Sequence, residues 1–196
     1  MLVLDLMTRQ PLSVTKDTRV KQAVTLLAER HVSALPVIDD DGSICGIVTE
    51  ADLIRNAFAH DPRAHERPQD DAGRSSALLV SEVMTTPAVT VRERADLAEV
   101  VELMTSRRLK SLPVVDGAGR VVGMVSRSDV VRVRARSDDV LEQEVSAMLL
   151  SLEHGDWLVE VHDGVVEIDG PETSLDRRIA AAAANTVAGV VEVKVR

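Results

Sequence analysis

The chain has 196 residues, 45% of them hydrophobic, a single cysteine and a formal net charge of −9, enough for one to three small cores without covalent staples. Cys45 has no partner for an internal disulfide, no apolar run reaches the roughly 18 residues of a membrane span, and Met1 to Met7 lacks the basic start and cleavage site of a secretion signal, so a soluble protein of the reducing cytoplasm is expected. The acidic excess lies wholly in the tail from Asp138 and the aromatics are only Phe58 and Trp157, which argues against nucleic acid and anionic membranes as partners.

In chain order, Met7-Thr8 and Ser13-Val14 lead into a predicted helix whose apolar stripe is Val20, Ala23, Val24 and Leu27. A short strand (Leu35 to Ile38), a turn rich in Asp and Gly, and a second strand (Ile44 to Val48) then make a hairpin. Thr49-Glu50-Ala51-Asp52 opens another helix with the spacing of a capping box. Residues 60–76 have no periodicity and read as a mobile connection able to act as a lid. His60, His65, Glu66, Asp70 and Asp71 are metal-capable, but no rigid element holds them, and no metal site is expected there.

A shift of 77 residues then lays the second part of the chain on the first without a gap. Met84-Thr85 falls on Met7-Thr8, Leu112-Pro113-Val114 on Leu35-Pro36-Val37, and Asp116, Gly119, Gly123, Val125 and Asp129 on Asp39, Gly42, Gly46, Val48 and Asp52. The second copy predicts the same helix (Leu97, Val100, Val101, Met104), the same hairpin (Leu112 to Val115; Val121 to Val125) and the same cap, Ser126-Arg127-Ser128-Asp129. Copies of about 55 residues are marginal alone, so they are expected to pair with pseudo-twofold symmetry. The doubled order of LPVID, GIVTEAD and LPVVD, GMVSRSD resembles a tandem CBS-domain pair, or Bateman module, over about two thirds of the chain.

That resemblance implies an α+β fold of two β-α-β-β-α repeats and a regulatory ligand site for adenosine nucleotides, with AMP, ADP or ATP as the expected ligand and no cofactor required. It implies contacts at Ser13, Ala34, Pro36, Thr49 and Asp52 in the first copy, and at Thr90, Lys110, Ser111, Pro113, Ser126, Arg127, Ser128 and Asp129 in the second. Adenine would lie between aliphatic side chains, so scarce aromatics are no objection. In physical terms, a helix N-terminus and a hydroxyl suit phosphate, and a carboxylate suits the ribose hydroxyls. The alternative is that Thr49/Asp52 and Ser126/Asp129 only cap helices, each cap stabilising by about 1 kcal/mol. Arg107, Arg108, Lys110 and Arg127 surround the second copy, where the first has Arg30, His31, Ser33 and Glu50, so phosphate is expected in the second site and a less charged ligand, or none, in the first. Arg107 and Arg108 also suit a helix C-terminus.

From Asp138 the pattern changes to an amphipathic helix (Leu141, Val145, Met148, Leu149, Leu152), a hairpin about Asp163-Gly164, a helix capped by Ser174, and a strand with Val191, Val193 and Val195 alternating. This α-β-β-α-β order, with VEVHDGVVEIDG and VAGVVEVKV, resembles a small BON-type domain, whose relatives are linked to bacterial envelopes; here the acidic tail favours protein docking or dimer extension, and Trp157 is expected as a core anchor. The domains are then 1–58 and 80–136, joined by a linker 59–79, and 138–196. No nucleophile with a base, phosphate loop or metal constellation points to an enzyme. The expected function is a nucleotide sensor, a homodimer relaying its state through the tail to a protein partner; the alternative is a ligand-free dimerisation scaffold.

Overall fold

A computed structural model describes residues 1–55 and 78–196. Phe58 and the 60–76 connection, with its metal-capable side chains, lie outside the described residues. In chain order the elements are β1 (Thr8–Arg9), α1 (Val20–Arg30), β2 (Ala34–Ile38), β3 (Ile44–Thr49), α2 (Glu50–Ile54), β4 (Val91–Arg92), α3 (Leu97–Ser106), β5 (Ser111–Val115), β6 (Val121–Ser126), α4 (Arg127–Arg134), α5 (Asp138–Ser151), β7 (Leu158–His162), β8 (Val165–Asp169), α6 (Ser174–Ala184) and β9 (Glu192–Val195). Two compact bodies result: Met7–Glu93 with Arg107–Val125, and Met1–Leu6 with Arg94–Ser106 and Ser126–Arg196. Among the described residues no helix is long and apolar enough to cross a membrane.

In the first body, α1 closes its last turn when His31 turns left-handed (φ 52°) and donates its N–H to Leu27 O. Its Ala23 and Leu27 join Val14, Leu35, Val37, Val48, Leu53 and Val80 in one apolar cluster. Val24, expected in the stripe, is 40% exposed, and Leu26 packs against the cluster instead. The reason is angular: on a 3.6-residue helix Leu26 lies beside Ala23 on the buried side, while Val24 lies past Val20 toward water.

The two hairpins, β2-β3 and β5-β6, are each completed by strands from both repeats. β1 runs antiparallel to β6, pairing Thr8 with Met124 and Arg9 with Gly123, in a sheet of order β1-β6-β5-β4. The equivalent bridge sets Thr85 against Ile47 on β3, through Thr85 N to Ile47 O at 2.8 Å and Ile47 N to Thr85 O at 3.0 Å. Each repeat therefore lends its Met-Thr segment to the other repeat's hairpin. On the opposite side each hairpin keeps its own repeat's strand, Val14 beside Val37 and Val91 beside Val114, both parallel. The hairpin tips also bond to each other, Ile44 N to Gly119 O and Val121 N to Gly42 O, both at 3.1 Å.

Glycine permits the exchange. A Cβ on Gly123 would stand 2.6 Å from Met7 Sδ and 3.1 Å from Thr8 O, and one on Gly46 would stand 3.0 Å from both Met84 Sδ and Thr85 O. A side chain at either position would push the visiting strand away.

In the second body, α5 and α6 contribute to a core with the three-stranded sheet β7-β8-β9, antiparallel between β7 and β8 and parallel between β8 and β9. Leu141, Val145 and Leu149 of α5 are buried, as are Trp157, Val159, Val161, Val166 and Ile168. Met148 and Leu152, expected on the apolar face, are 38% and 44% exposed: the strict i, i+4, i+8 spacing of the other three makes a narrower stripe. Asp163 and Gly164 both have positive φ, as the tight hairpin turn requires, and both donate their N–H to the Asp138 carboxylate. Thr173, not Ser174, caps α6, accepting from Asp176 N. Trp157 anchors the core, with the His154 ring stacked on it at 3.9 Å.

The glycine contacts give a direct check. Gly123→Ala is expected to destabilise the protein by about 1–3 kcal/mol, the usual cost of overpacking. Gly117→Ala, where a Cβ meets nothing within 4 Å, should change stability by less than about 0.5 kcal/mol. Urea unfolding of the two variants measures the difference, and equal effects would contradict the exchange.

Candidate functional site

The first body carries a groove of about 280 Å³ lined by both repeats. From the first repeat come Ser33 and Ala34 at the start of β2, Ile47 of β3, and Thr49, Glu50, Ala51 and Asp52 where β3 passes into α2. The second repeat supplies Thr85, Val89 and the run Arg108, Leu109, Lys110, Ser111 and Leu112 leading into β5. Ile47, Val89, Leu109 and Leu112 give it aliphatic walls, suited to a flat heterocycle. A larger hollow of about 570 Å³ lies over Lys16, Asp17, Asp39, Asp40 and Asp41. It is the weaker candidate: its lysine is already paired with Asp39 at 2.8 Å, and the carboxylates left over would repel an anionic ligand.

Local sequence fixes the acidic wall of the groove. Thr49 ends β3 in an extended conformation, and its hydroxyl accepts from Asp52 N at 3.4 Å. Asp52 Oδ2 in turn accepts from Thr49 N at 3.0 Å and from Thr49 Oγ1 at 2.6 Å. This is the reciprocal capping box that the spacing predicts. It consumes one carboxylate oxygen; among the described residues, Oδ1 has the exposed Arg55 guanidinium at 3.8 Å as its one charged neighbour. Glu50 N donates to Ser33 O at 3.1 Å, tying the start of α2 to the start of β2. Ser33 Oγ and Ser111 Oγ stand 3.4 Å apart, one hydroxyl from each repeat.

The expected pairing of charges with sites changes here. Sequence position places Arg108 and Lys110 with the second copy, yet both line the groove that holds Thr49 and Asp52. Sequence adjacency misleads because the run before β5 faces the other repeat. Arg108 does follow the end of α3, in a left-handed conformation (φ 56°) that repeats His31 one copy earlier, and this turn carries the chain into the groove wall. The helix-dipole argument also weakens for the first copy. The described α2 spans only five residues, so the cations Arg108 and Lys110, rather than backbone N–H groups, are what could hold an anion there.

The remaining predicted residues are placed as follows. Ala34 and Ser111 line the groove with Thr49, Asp52 and Lys110. Pro36 and Pro113 are buried mid-strand in β2 and β5, and Ser13 and Thr90 are half-buried beside Val14 and Val91; none of these four lines it. Ser126 and Asp129, in the other body, form a second capping box, with Ser126 N to Asp129 Oδ2 at 2.8 Å and Ser126 Oγ to Oδ2 at 2.7 Å. Asp129 is buried, and its Oδ1 accepts from Arg132 at 3.2 Å, so it has less spare capacity than Asp52. Arg127 donates to Met104 O at 2.8 Å, a structural engagement, and Ser128 is exposed. Sequence reasoning missed Ser33, Ile47, Thr85, Val89, Leu109 and Leu112. Thr85 carried a signal, the repeated Met-Thr, but its partner strand did not. Cys45 stays out of the site: burial pushes its thiol up, and Sγ donates to Val37 O at 3.2 Å.

The CBS domain family model matches residues 3–58 and 80–136. The chain belongs to the CBS domain family, as a tandem pair. A CBS domain-containing protein of Dictyostelium discoideum is 32% identical over 130 residues, 66% of this chain and 88% of its own length. The chloroplastic CBS domain-containing protein CBSX2 of Arabidopsis thaliana is also 32% identical, over 65% of this chain and 61% of that protein. Its crystal structure in complex with AMP matches the CBS pair with a TM-score of 0.54 at 28% identity, covering 67% of this chain and 93% of that one. The CBS domain pair of protein MJ0100, in complex with 5′-methylthioadenosine and S-adenosyl-L-methionine, matches with a TM-score of 0.57 at 25% identity over 68% and 94% of the two chains. The mixed α+β architecture of a CBS pair is thus shared with structures that hold adenosine ligands.

The capping geometry predicts what the site residues do without ligand. Asp129→Ala should cost about 1–2 kcal/mol, the range for a lost helix cap, while Lys110→Ala, whose side chain is exposed, should cost less than about 0.5 kcal/mol. Thermal unfolding of the two ligand-free variants checks this; a large loss from Lys110→Ala would give that lysine a structural role.

Proposed function

We propose that this CBS pair is a regulatory sensor that binds an adenosine-type nucleotide in the groove of the first body. The observation that carries this reading is that one groove gathers a half-free carboxylate, Asp52, from the first repeat and two cations, Arg108 and Lys110, from the second, around aliphatic walls. Asp52 Oδ1 would accept the ribose hydroxyls, Ile47, Val89, Leu109 and Leu112 would flank the base, and Lys110, Arg108 and the Ser33 and Ser111 hydroxyls would hold the anionic end. Ser126, Ser128 and Asp129 are proposed as the polar set of a second site in the other body, and Ser13, Pro36, Thr90 and Pro113 as strand positions that shape the first body. Because ligand would touch both repeats, it favours whichever arrangement of them fits it better, and only that difference in affinity does regulatory work.

The relay is part of the proposal. We read 1–58 and 80–136 as the two CBS repeats, 59–79 as their linker, and 138–196 as a BON-type domain that passes the ligand state to a protein partner; its helix, hairpin, helix and strand order supports that reading. We further propose a cytoplasmic homodimer with no catalytic step of its own. One observation favours a second reading, a ligand-free scaffold: both capping boxes are already closed by the protein's own atoms.

Calorimetric titration of the full chain with AMP separates the two. The sensor predicts saturable heat, at least about tenfold weaker binding in Asp52→Asn, from loss of a charged hydrogen bond, and a loss in Lys110→Ala that is larger for AMP than for adenosine. No heat with AMP, ADP or ATP, in protein freed of carried-over nucleotide, leaves the scaffold.

A further inference from the structure

The sheet of the tail domain leaves one edge open. Among the described residues β9 pairs only with β8, at the end of the order β7-β8-β9. Arg196 N donates to Ile168 O at 3.0 Å, and along a parallel ladder alternate residues bond to the neighbouring strand. The backbone groups of Lys194 and Arg196 therefore face β8, and the N–H and C=O of Val193 and Val195 face outward. The apolar side of the sheet thins toward the same edge: Val159, Val161, Val166 and Ile168 of β7 and β8 are buried, whereas Val193 and Val195 are half-buried and Val191 is 52% exposed. On the opposite side of β9, Glu192 and Lys194 are exposed. The Glu192 side chain makes no hydrogen bond or ion pair among the described residues, and Lys194 approaches Glu167 only to 3.9 Å.

Charge on an edge strand ordinarily deters pairing with another chain. On β9 the two signs alternate, and one arrangement turns them into a match. When two β9 strands run antiparallel with Val193 at the centre, Val193 and the partner's Val193 exchange both of their hydrogen bonds. Glu192 then stands opposite the partner's Lys194, and by twofold symmetry Lys194 stands opposite the partner's Glu192. On the apolar face, Val195 covers the partner's Val191. Centring on Glu192 or on Lys194 instead sets like charge against like at the axis. We infer that β9 is a self-pairing edge, by which two copies of this chain join their three-stranded tail sheets into one. The inference is independent of the nucleotide site; it rests on the homodimer reading above and assigns it a surface.

The test is amide hydrogen exchange of the full chain, read by NMR at Val193 and Val195. Exchange there is expected to be about tenfold or more slower in the parent than in Glu192→Lys or in Lys194→Glu, each of which sets like charges across the pair and frees the edge to open. An equimolar mixture of the two variants should regain the slow exchange, because each then meets the charge that its own copies lack. Mixing does not rescue a strand that has misfolded. Should Lys194→Glu loosen β8 as well, by setting a carboxylate beside Glu167, Glu192→Lys is compared with Glu192→Gln, and faster exchange in the lysine variant is the expected result. Exchange at Val193 and Val195 that is the same in the parent and the variants, or that stays fast in the mixture, overturns the self-pairing edge. Sedimentation of the parent keeps the two readings apart: a dimer whose β9 amides exchange freely is built on another surface, while a monomer removes the homodimer and the edge together.

Discussion

Everything in the first body depends on a reciprocal contact: the Met-Thr segment of each repeat is laid across a glycine in the hairpin of the other. Gly46 and Gly123 have no side chain to hold Met84 and Met7 away, so backbone pairs with backbone and the two hairpins become parts of one structure. A repeat of about 55 residues buries too little apolar surface to be comfortable alone, and exchanging strands removes the option of standing alone. The cost is sensitivity to a single methyl group at two positions. The gain is a fixed placement of one repeat's loop against the other's strand ends.

The groove follows from that placement. Without the exchange, the run from Arg108 to Leu112 would have no reason to face Thr49 and Asp52. With it, a carboxylate from one repeat and cations from the other share a space that neither repeat encloses alone. The capping box at Thr49 has two uses at once: it satisfies the N–H groups of Thr49 and Asp52 at the start of α2, and it holds Asp52 so that one oxygen is spent on the box and the other is left toward Arg55. Holding a recognition group rigid by a structural bond lowers the entropy lost on binding, which is a general route to specificity. Asp129 shows the contrast, since Arg132 occupies its second oxygen.

Much of this was legible in the sequence, and the exceptions share one cause. The 77-residue lag reads out both hairpins, both capping boxes and the pairing of two copies, because strands, turns and caps are encoded by neighbours a few positions apart. Which hairpin a Met-Thr segment joins is a long-range choice, and alternation along a strand says nothing about the identity of its partner. For that reason the order of the chain does not reveal that Arg108 and Lys110 share a groove with Thr49 and Asp52. Smaller departures have local causes: Val24, Met148 and Leu152 lie at the margins of apolar stripes that packing trimmed, and Thr173 competes with Ser174 for the same cap one residue apart. The charge of Glu50 is legible in the sequence, but which cations share its groove is not.

Hydrogen exchange read by mass spectrometry, with and without saturating AMP, tests the central claim most directly. A shared groove predicts that nucleotide slows exchange in two segments distant in sequence, the start of α2 around Thr49 to Leu53 and the run Arg108 to Leu112, at the same ligand concentration. Slowing confined to one of them, or no change in either at saturation, would contradict a ligand site built from both repeats.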